Sequence, residues 1–227
     1  MKSIEELFDL IHIKPNNYDN YELALTHPSY NADANTKHID YEKLEFVGDA
    51  VIGYVAADLI YKIHPEMDQG TMSKLRSYLV KSKSLANYAR KISLSEYIKT
   101  GHSISPKNIN QSDKILEDVF EALVAAVYLD LGMNRAYSYI KSFLYNDIKN
   151  ANIDLLTDYK TKLQEEVQSE HRNSVIYKTI DEKGPPHDKV FTVSVSFDGV
   201  VIAYGKGKSK KEAEEAAAKA ALEKGSI

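Results

Sequence analysis

The chain has 227 residues, 33 acidic and 29 basic, with a formal net charge of -4, seven His and no Cys; this leaves room for one or two domains and excludes disulfides, thiolate metal sites and cysteine nucleophiles. The longest apolar run, Ala122 to Leu129, is eight residues, against the roughly 20 that a membrane helix needs, so no membrane partner and a reducing, cytoplasmic setting are expected. The acidic balance weighs against a nucleic-acid protein unless the charge is unevenly distributed along the chain.

The N-terminus, MKSIEELFDLIHIK, carries acids where a secretory leader needs an apolar run. Over residues 1–150 apolar residues recur at helical spacing with few strand signals. Two stretches stand out there: Leu44 to Ala57, LEFVGDAVIGYVAA, and Ile115 to Leu131, ILEDVFEALVAAVYLDL. Each is apolar nearly all round, so each is expected to be a buried helix. The texture changes near residue 150, and a linker is expected over 151–157. This gives two domains, 1–150 and 158–227. Neither is basic: the first segment, 1–150, holds 17 basic and 20 acidic residues, the remainder 12 and 13.

After the linker, Tyr159, Leu163 and Val167 predict a helix of about 158–171. Val175 to Ile180 is β-branched and aromatic. Phe191 to Phe197 alternates strictly, a half-buried strand. Asp198-Gly199 is a hairpin turn, and Val200 to Tyr204 is the return strand. Gly205-Lys206-Gly207-Lys208 reads as a loop. Ser209-Lys210-Lys211-Glu212 reads as a capping box opening an Ala-rich helix to about Glu223.

The chemistry is carried by acids within the apolar stretches. Glu42, Glu45 and Asp49 fall within about 60° of arc on one helix. Asp118 and Glu121, with Glu117 beside them, lie on the other. Unpaired buried carboxylates are very unfavourable, and neither apolar stretch contains a basic residue. Lys43, Lys74, Arg76 and Lys114 remain as ion-pair partners; the other solution is a divalent cation. An all-oxygen set suits Mg²⁺, with Mn²⁺ as a substitute, over Zn²⁺, and such sites are typical of phosphoryl transfer. The histidines form no HxxxH or HExxH pattern, and there is no glycine-rich phosphate loop and no GxSxG.

In the second domain Lys206, Lys208, Lys210 and Lys211 surround a helix start, which already favours anions. Thr161, Gln164 and Gln168 lie on the side of their helix away from Tyr159, Leu163 and Val167. Neutral donors and acceptors suit sugar hydroxyls in a shallow groove, and the loop Gly184-Pro185-Pro186-His187 offers a third contact. Three sites on one face fit shape-based reading of A-form RNA.

With these residues in view, the chain resembles bacterial ribonuclease III. Glu42-Lys-Leu-Glu45-Phe46-Val-Gly48-Asp49-Ala-Val resembles the family's signature segment, and Ile115-Leu116-Glu117-Asp118-Val-Phe-Glu121-Ala-Leu its second catalytic segment. Thr26-His27-Pro28-Ser29-Tyr30 and Lys74-Leu75-Arg76 also fit family patterns. The C-terminal αβββα stretch resembles a double-stranded RNA-binding domain. The resemblance implies a mainly α nuclease domain of the ribonuclease III endonuclease fold, followed by that small α+β domain. It implies a homodimer and Mg²⁺-dependent cleavage of double-stranded RNA to 5′-phosphate and 3′-hydroxyl ends with two-nucleotide 3′ overhangs, in rRNA and mRNA precursor processing and RNA decay.

By motif position, Glu45, Asp49, Asp118 and Glu121 would be metal ligands, with Asp49 and Glu121 catalytic. Glu42 would contact RNA, and Phe46 would insert into the partner subunit. Thr161, Gln164, Gln168, His187, Lys208, Lys210 and Lys211 would contact RNA. Two positions depart from the family pattern. Gln69 stands where Glu is common, and an amide is a poorer ligand for a hard cation, for which Asp68 could partly substitute. Tyr41 stands where Asn is common. Two other readings stay open: a non-catalytic duplex RNA binder of the same fold, and a Mg²⁺ phosphohydrolase acting on small phosphates.

Overall fold

The computed structural model describes residues 2–34, 40–102, 104–153, 157–171, 174–185 and 188–225. The chain divides into two compact units, Met1–Ile153 and Asp154–Ile227.

The first unit is helical: α1 (Ile4–Leu10), α2 (Asp19–Ala24), α3 (Pro28–Ala34), α4 (Glu42–Ile63), α5 (Gln69–Leu79), α6 (Ser82–Lys91), a 3₁₀ turn (Leu94–Glu96), α7 (Pro106–Gln111) and α8 (Asp113–Lys149). The two apolar stretches form parts of α4 and α8, and these two helices make the principal packing pair of the unit. From Ala122 to Val127 every side chain of α8 has no exposure. A continuous apolar run of this kind is what a helix surrounded by other helices requires. The run ends at Val127, five residues before Gly132 takes φ 77° and ψ 175° and breaks the helix. Beyond the break, Tyr139 and Phe143 pack edge-on and against Phe120.

Gly48 sits inside α4, where glycine costs about 1 kcal/mol relative to alanine. The reason is proximity. A Cβ on Gly48 would stand 1.9 Å from the backbone oxygen of Glu121 on α8. The two acid-bearing helices thus meet backbone to backbone at this point.

The Thr26-to-Tyr30 segment works as a splice. The Lys99 carbonyl accepts from the His27 backbone N–H at 2.9 Å, and Ser29 Oγ accepts from the Gly101 N–H at 3.1 Å. Asp130, just before the α8 break, accepts from the backbone N–H groups of Asn16 and Asn17 and from the Tyr21 hydroxyl. Three donors on one carboxylate hold the α1–α2 loop to α8.

The second unit runs α9 (Tyr159–His171), β1 (Ile176–Lys183), β2 (Val190–Phe197), β3 (Val200–Gly207) and α10 (Lys210–Lys224). The strands form an antiparallel sheet in the order β1-β2-β3. Asp198 and Gly199 turn the β2–β3 hairpin with φ 48° and 79°, the positive pair that a tight turn of this twist needs. Val193, Val195 and Ala203 on the inner face pack with Leu163 of α9 and Ala213, Ala217 and Ala221 of α10.

One element differs from the sequence expectation. Gly205-Lys206-Gly207 is not a loop; β3 continues through Gly207, paired with Phe191. The two glycines are there for contact. A Cβ at Gly205 would lie 2.1 Å from the Ala217 nitrogen, and one at Gly207 would lie 2.5 Å from the Ala213 nitrogen. Glycine on the strand and alanine on the helix bring the two backbones together. A glycine pair of this kind mimics a loop signal in a sequence.

Candidate active site

The α4–α8 contact at Gly48 sets the acids opposite one another. Glu45 lies one turn before the contact on α4, and Glu121 is the contact residue on α8. Glu45, Asp118 and Glu121 each offer a carboxylate oxygen, all within 4.8 Å of one another. Asp118 and Glu121 are each 6 % exposed. Asp49, Glu42 and Glu117 line the same open depression with Phe46 and Lys114.

Burial is less complete than the apolar pattern predicts. Asp49 and Glu42 are exposed and Glu45 and Glu117 are intermediate. The depression cuts into the α4–α8 pair from one side, so the α4 acids reach solvent while Asp118 and Glu121 do not. Asp49 shares the depression but stands outside the tightest set.

Charge compensation is partial. Lys114 Nζ lies 2.6 Å from Asp118 and 3.4 Å from Glu45. It sits four residues before Asp118, the spacing that puts both on one helix face. The same carboxylates raise the lysine's pKa. Lys114 is thus the ion-pair partner that the sequence left open, but it serves one side of the cluster. Among the described residues no cation pairs with Asp49 or Glu121. Burial, then the charges of Asp49, Glu117, Glu45 and Asp118, push the Glu121 carboxyl up to about 8. Burial also raises Asp118, against the opposing pull of Lys114.

Tyr41 joins the site from the turn before α4. It is buried, with its hydroxyl held above the usual range by burial and by Asp118, Glu45 and Glu42. Its ring meets His27 edge-on at 5.8 Å. The signal in sequence was its position directly before the acid-bearing segment. Asp68 caps α5 instead, accepting from the Thr71 backbone N–H at 2.8 Å and hydroxyl at 2.9 Å. Gln69 is exposed at the first position of that helix.

The donor set fits a hard divalent cation. It is all oxygen, three of its carboxylate oxygens lie within 4.8 Å of one another, and Glu121, one of its two buried members, has no positive partner among the described residues.

Phe46 is 80 % exposed, which removes a plain core role. Tyr54 and Tyr61 are also exposed, and the three fall within about 80° of arc on α4. An exposed aromatic stripe on a helix whose other face is core marks a surface made for a partner.

In the second unit, Thr161 and Gln168 are exposed on α9. Gln164 is half-buried, and its Oε1 accepts from the Val175 N–H at 3.3 Å. His187 lies outside the described residues. Lys208, Lys210 and Lys211 are exposed around the α10 start or near it. Lys210 is 3.4 Å from Glu182, and Lys208 is 3.9 Å from Asp188. Ser209 caps α10 by accepting from the Glu212 N–H at 3.2 Å, but Glu212 reaches back to the Lys208 N–H at 2.8 Å. Lys206 leaves this group, because it belongs to β3 and its row of the sheet.

Both units match known families. A ribonuclease-III-like family model matches residues 19–148, and a double-stranded RNA binding motif matches residues 159–224. Ribonuclease 3 of Streptococcus pyogenes serotype M3 is 38% identical over 224 residues, covering 98% of this chain and 97% of that protein. The serotype M1 protein gives the same values. The crystal structure of the nuclease domain of a ribonuclease III from Campylobacter jejuni matches with TM-score 0.60 and 28% identity, covering 67% of this chain and all of that domain. A second structure of that domain, described for structural flexibility in a region involved in dimer formation, matches with TM-score 0.57 and 28% identity, over 63% of this chain and 99% of that one.

Proposed function

The chain belongs to the ribonuclease III family and is an endoribonuclease with a double-stranded RNA-binding domain; from that premise we propose that it hydrolyses double-stranded RNA with Mg²⁺ held by Glu45, Asp118, Glu121 and Asp49. The convergence of Glu45, Asp118 and Glu121 within 4.8 Å carries this reading. Bound there, Mg²⁺ would generate a nucleophile from water and stabilise charge on the phosphate.

The protein's own groups prepare the site. Lys114 holds Asp118 and Glu45 together. Tyr41, buried, stands beside Asp118. Glu121, poised near neutral pH, can hold a proton before the cation enters and give it up afterwards. Asp49, exposed at the rim, would complete the Mg²⁺ ligand set from the solvent side, and Glu42, lining the same depression, would contact RNA.

Duplex RNA would be gathered by the second unit. Lys210 and Lys211 lie in the first turn of α10, where free N–H groups already attract phosphate. Lys208 extends that site, and Thr161, Gln164 and Gln168, with His187, would read the minor grooves. A homodimer through the Phe46–Tyr54–Tyr61 stripe would give one site per RNA strand, since a two-fold duplex backbone suits a two-fold protein. The expected products have 5′-phosphate and 3′-hydroxyl ends and two-nucleotide 3′ overhangs, and the expected duties are rRNA and mRNA precursor processing and RNA decay. A cytoplasmic location goes with those duties. No described helix is long and apolar enough to cross a membrane.

The test is incubation of long duplex RNA, single-stranded RNA and a small phosphate ester with and without Mg²⁺. Short duplexes that appear only with Mg²⁺, and vanish for Glu121→Gln while duplex binding persists, are expected. Cleavage by Glu121→Gln at near the wild-type rate would overturn the assignment.

A further inference from the structure

The sheet of the second unit has a face that the helices do not cover. Strand register lays it out in rows. Val193, Val195 and Ala203 turn toward α9 and α10, so Ser194, Ser196 and Tyr204 turn outward, while the irregularity in the ladder beside Ala203 keeps Ile202 on the helix side. Lys178, Ser194 and Tyr204 form one row across β1, β2 and β3. Thr192 and Lys206 stand in the next row, and Ile176, Ser196 and Val201 in the one on the other side.

This face is apolar at its edges and basic about one ring. Tyr204 is 56 % exposed, and Ile176 and Ile180 are exposed as well. Lys178 lies across two strands from Tyr204, about 10 Å away, and Lys206 two residues along β3, about 7 Å away. Among the described residues neither lysine forms an ion pair. The carboxylate in these rows, Asp181, is already paired with Lys183 at 2.9 Å. The chain is acidic overall, so a locally positive, aromatic sheet face is a marked departure.

We propose that the open face of this sheet binds single-stranded RNA, with a base stacked on Tyr204 and phosphates met by Lys178 and Lys206. Charge complementarity selects a polyanion. The exposed ring selects one with unpaired bases, because a duplex keeps its base faces inside its own stack. Stacking on a sheet-borne aromatic with lysines beside it is a general solution for single strands. Ser194 and Ser196 tie β2 to β1 across this face: their hydroxyls donate to the Lys178 and Ile176 carbonyls of β1 at 3.3 Å. The surface is separate from the α10 lysines, which belong to the duplex reading. Unpaired tails and loops flanking a duplex would be its ligands.

The test uses the full chain without divalent metal. Fluorescence anisotropy is read with a labelled oligouridine of about ten nucleotides and, separately, a labelled duplex. Tyr204→Ser is expected to weaken oligouridine binding about tenfold, and Tyr204→Phe to retain it. Lys178→Gln with Lys206→Gln should lower the salt slope for oligouridine by about 1.4. Duplex binding should stay within about twofold in all three, which also reports an intact fold. Conversely, Lys210→Ala with Lys211→Ala should weaken duplex binding and spare oligouridine, so failure of either surface is visible by itself. Unchanged oligouridine binding by Tyr204→Ser overturns the proposal. So does sedimentation showing that this face instead joins two copies, with Tyr204→Ser lowering the mass of the free protein and leaving oligouridine binding intact.

Discussion

Gly48 lies against the backbone carbonyl of Glu121, with room for a hydrogen and nothing larger: an added Cβ would stand 1.9 Å from that oxygen. This contact sets the distance between the helix that carries Glu45 and the one that carries Asp118 and Glu121. Gly48→Ala should therefore push the helices apart. The obstacle is backbone, which cannot swing away, so a loss of about 3 kcal/mol or more is expected. At about 2–4 °C per kcal/mol that is a fall of roughly 6–12 °C in Tm, read by calorimetry. The variant should also lose most of the Tm gain that Mg²⁺ gives the wild type. A fully stable Gly48→Ala protein would show that the helices can separate freely.

Glu121 gives a pH dependence with a definite sign. Its carboxyl is raised from the usual 4.5 to about 8 by burial and neighbouring acids. The folded protein thus holds this proton more tightly than the unfolded chain. That contribution is complete below about pH 4.5 and is lost as pH rises through about 8. In chelator, the Tm of wild type relative to Glu121→Gln should fall from about pH 6 to about pH 9. With excess Mg²⁺ the fall should flatten, because the cation replaces the proton. A wild-type advantage that grows with pH in chelator contradicts this account.

Lys114 bridges Asp118 and Glu45 while most of its own side chain is in solvent. Lys114→Gln should cost roughly 1 kcal/mol in chelator, a Tm drop of about 2–4 °C. Mg²⁺ should restore most of it, since both cations answer the same charge. Thermal scans with and without Mg²⁺ decide this, and equal loss in both conditions would mean that the lysine acts through packing.

Phe46 predicts an assembly. Phe46→Glu places a charge where an exposed aromatic now stands and should shift sedimentation toward the monomer. Metal-dependent stabilisation of the single chain should survive, because Phe46 is not among the carboxylates. A variant that still sediments as a dimer moves the interface elsewhere.

Much of this was legible in sequence. The αβββα order followed from alternation at Phe191 to Phe197, the Asp198-Gly199 turn and the alanines of α10. The two acid-bearing helices followed from charge inside apolar runs. What sequence hid was proximity. Gly205 and Gly207 read as a loop because glycine's local signal is freedom, whereas here each is selected by a helix that approaches too closely for a side chain. The same ambiguity concealed the role of Gly48. Burial of the acids was overestimated for a related reason: apolar periodicity locates a helix in the interior, but it does not say where a depression opens onto it. Lys114 was visible only as a candidate, because choosing among several nearby cations requires the fold.

The seam between β3 and α10 has a mechanical consequence. With Gly205 and Gly207 pressed on Ala217 and Ala213, the first turn of α10 has almost no slack against the sheet. The lysines that start there spring from a fixed baseline, and only their flexible stems adjust to a ligand. The unit thus behaves as a ruler whose graduations are set by main-chain contact. A single methyl group at either glycine would miscalibrate it without removing any charge.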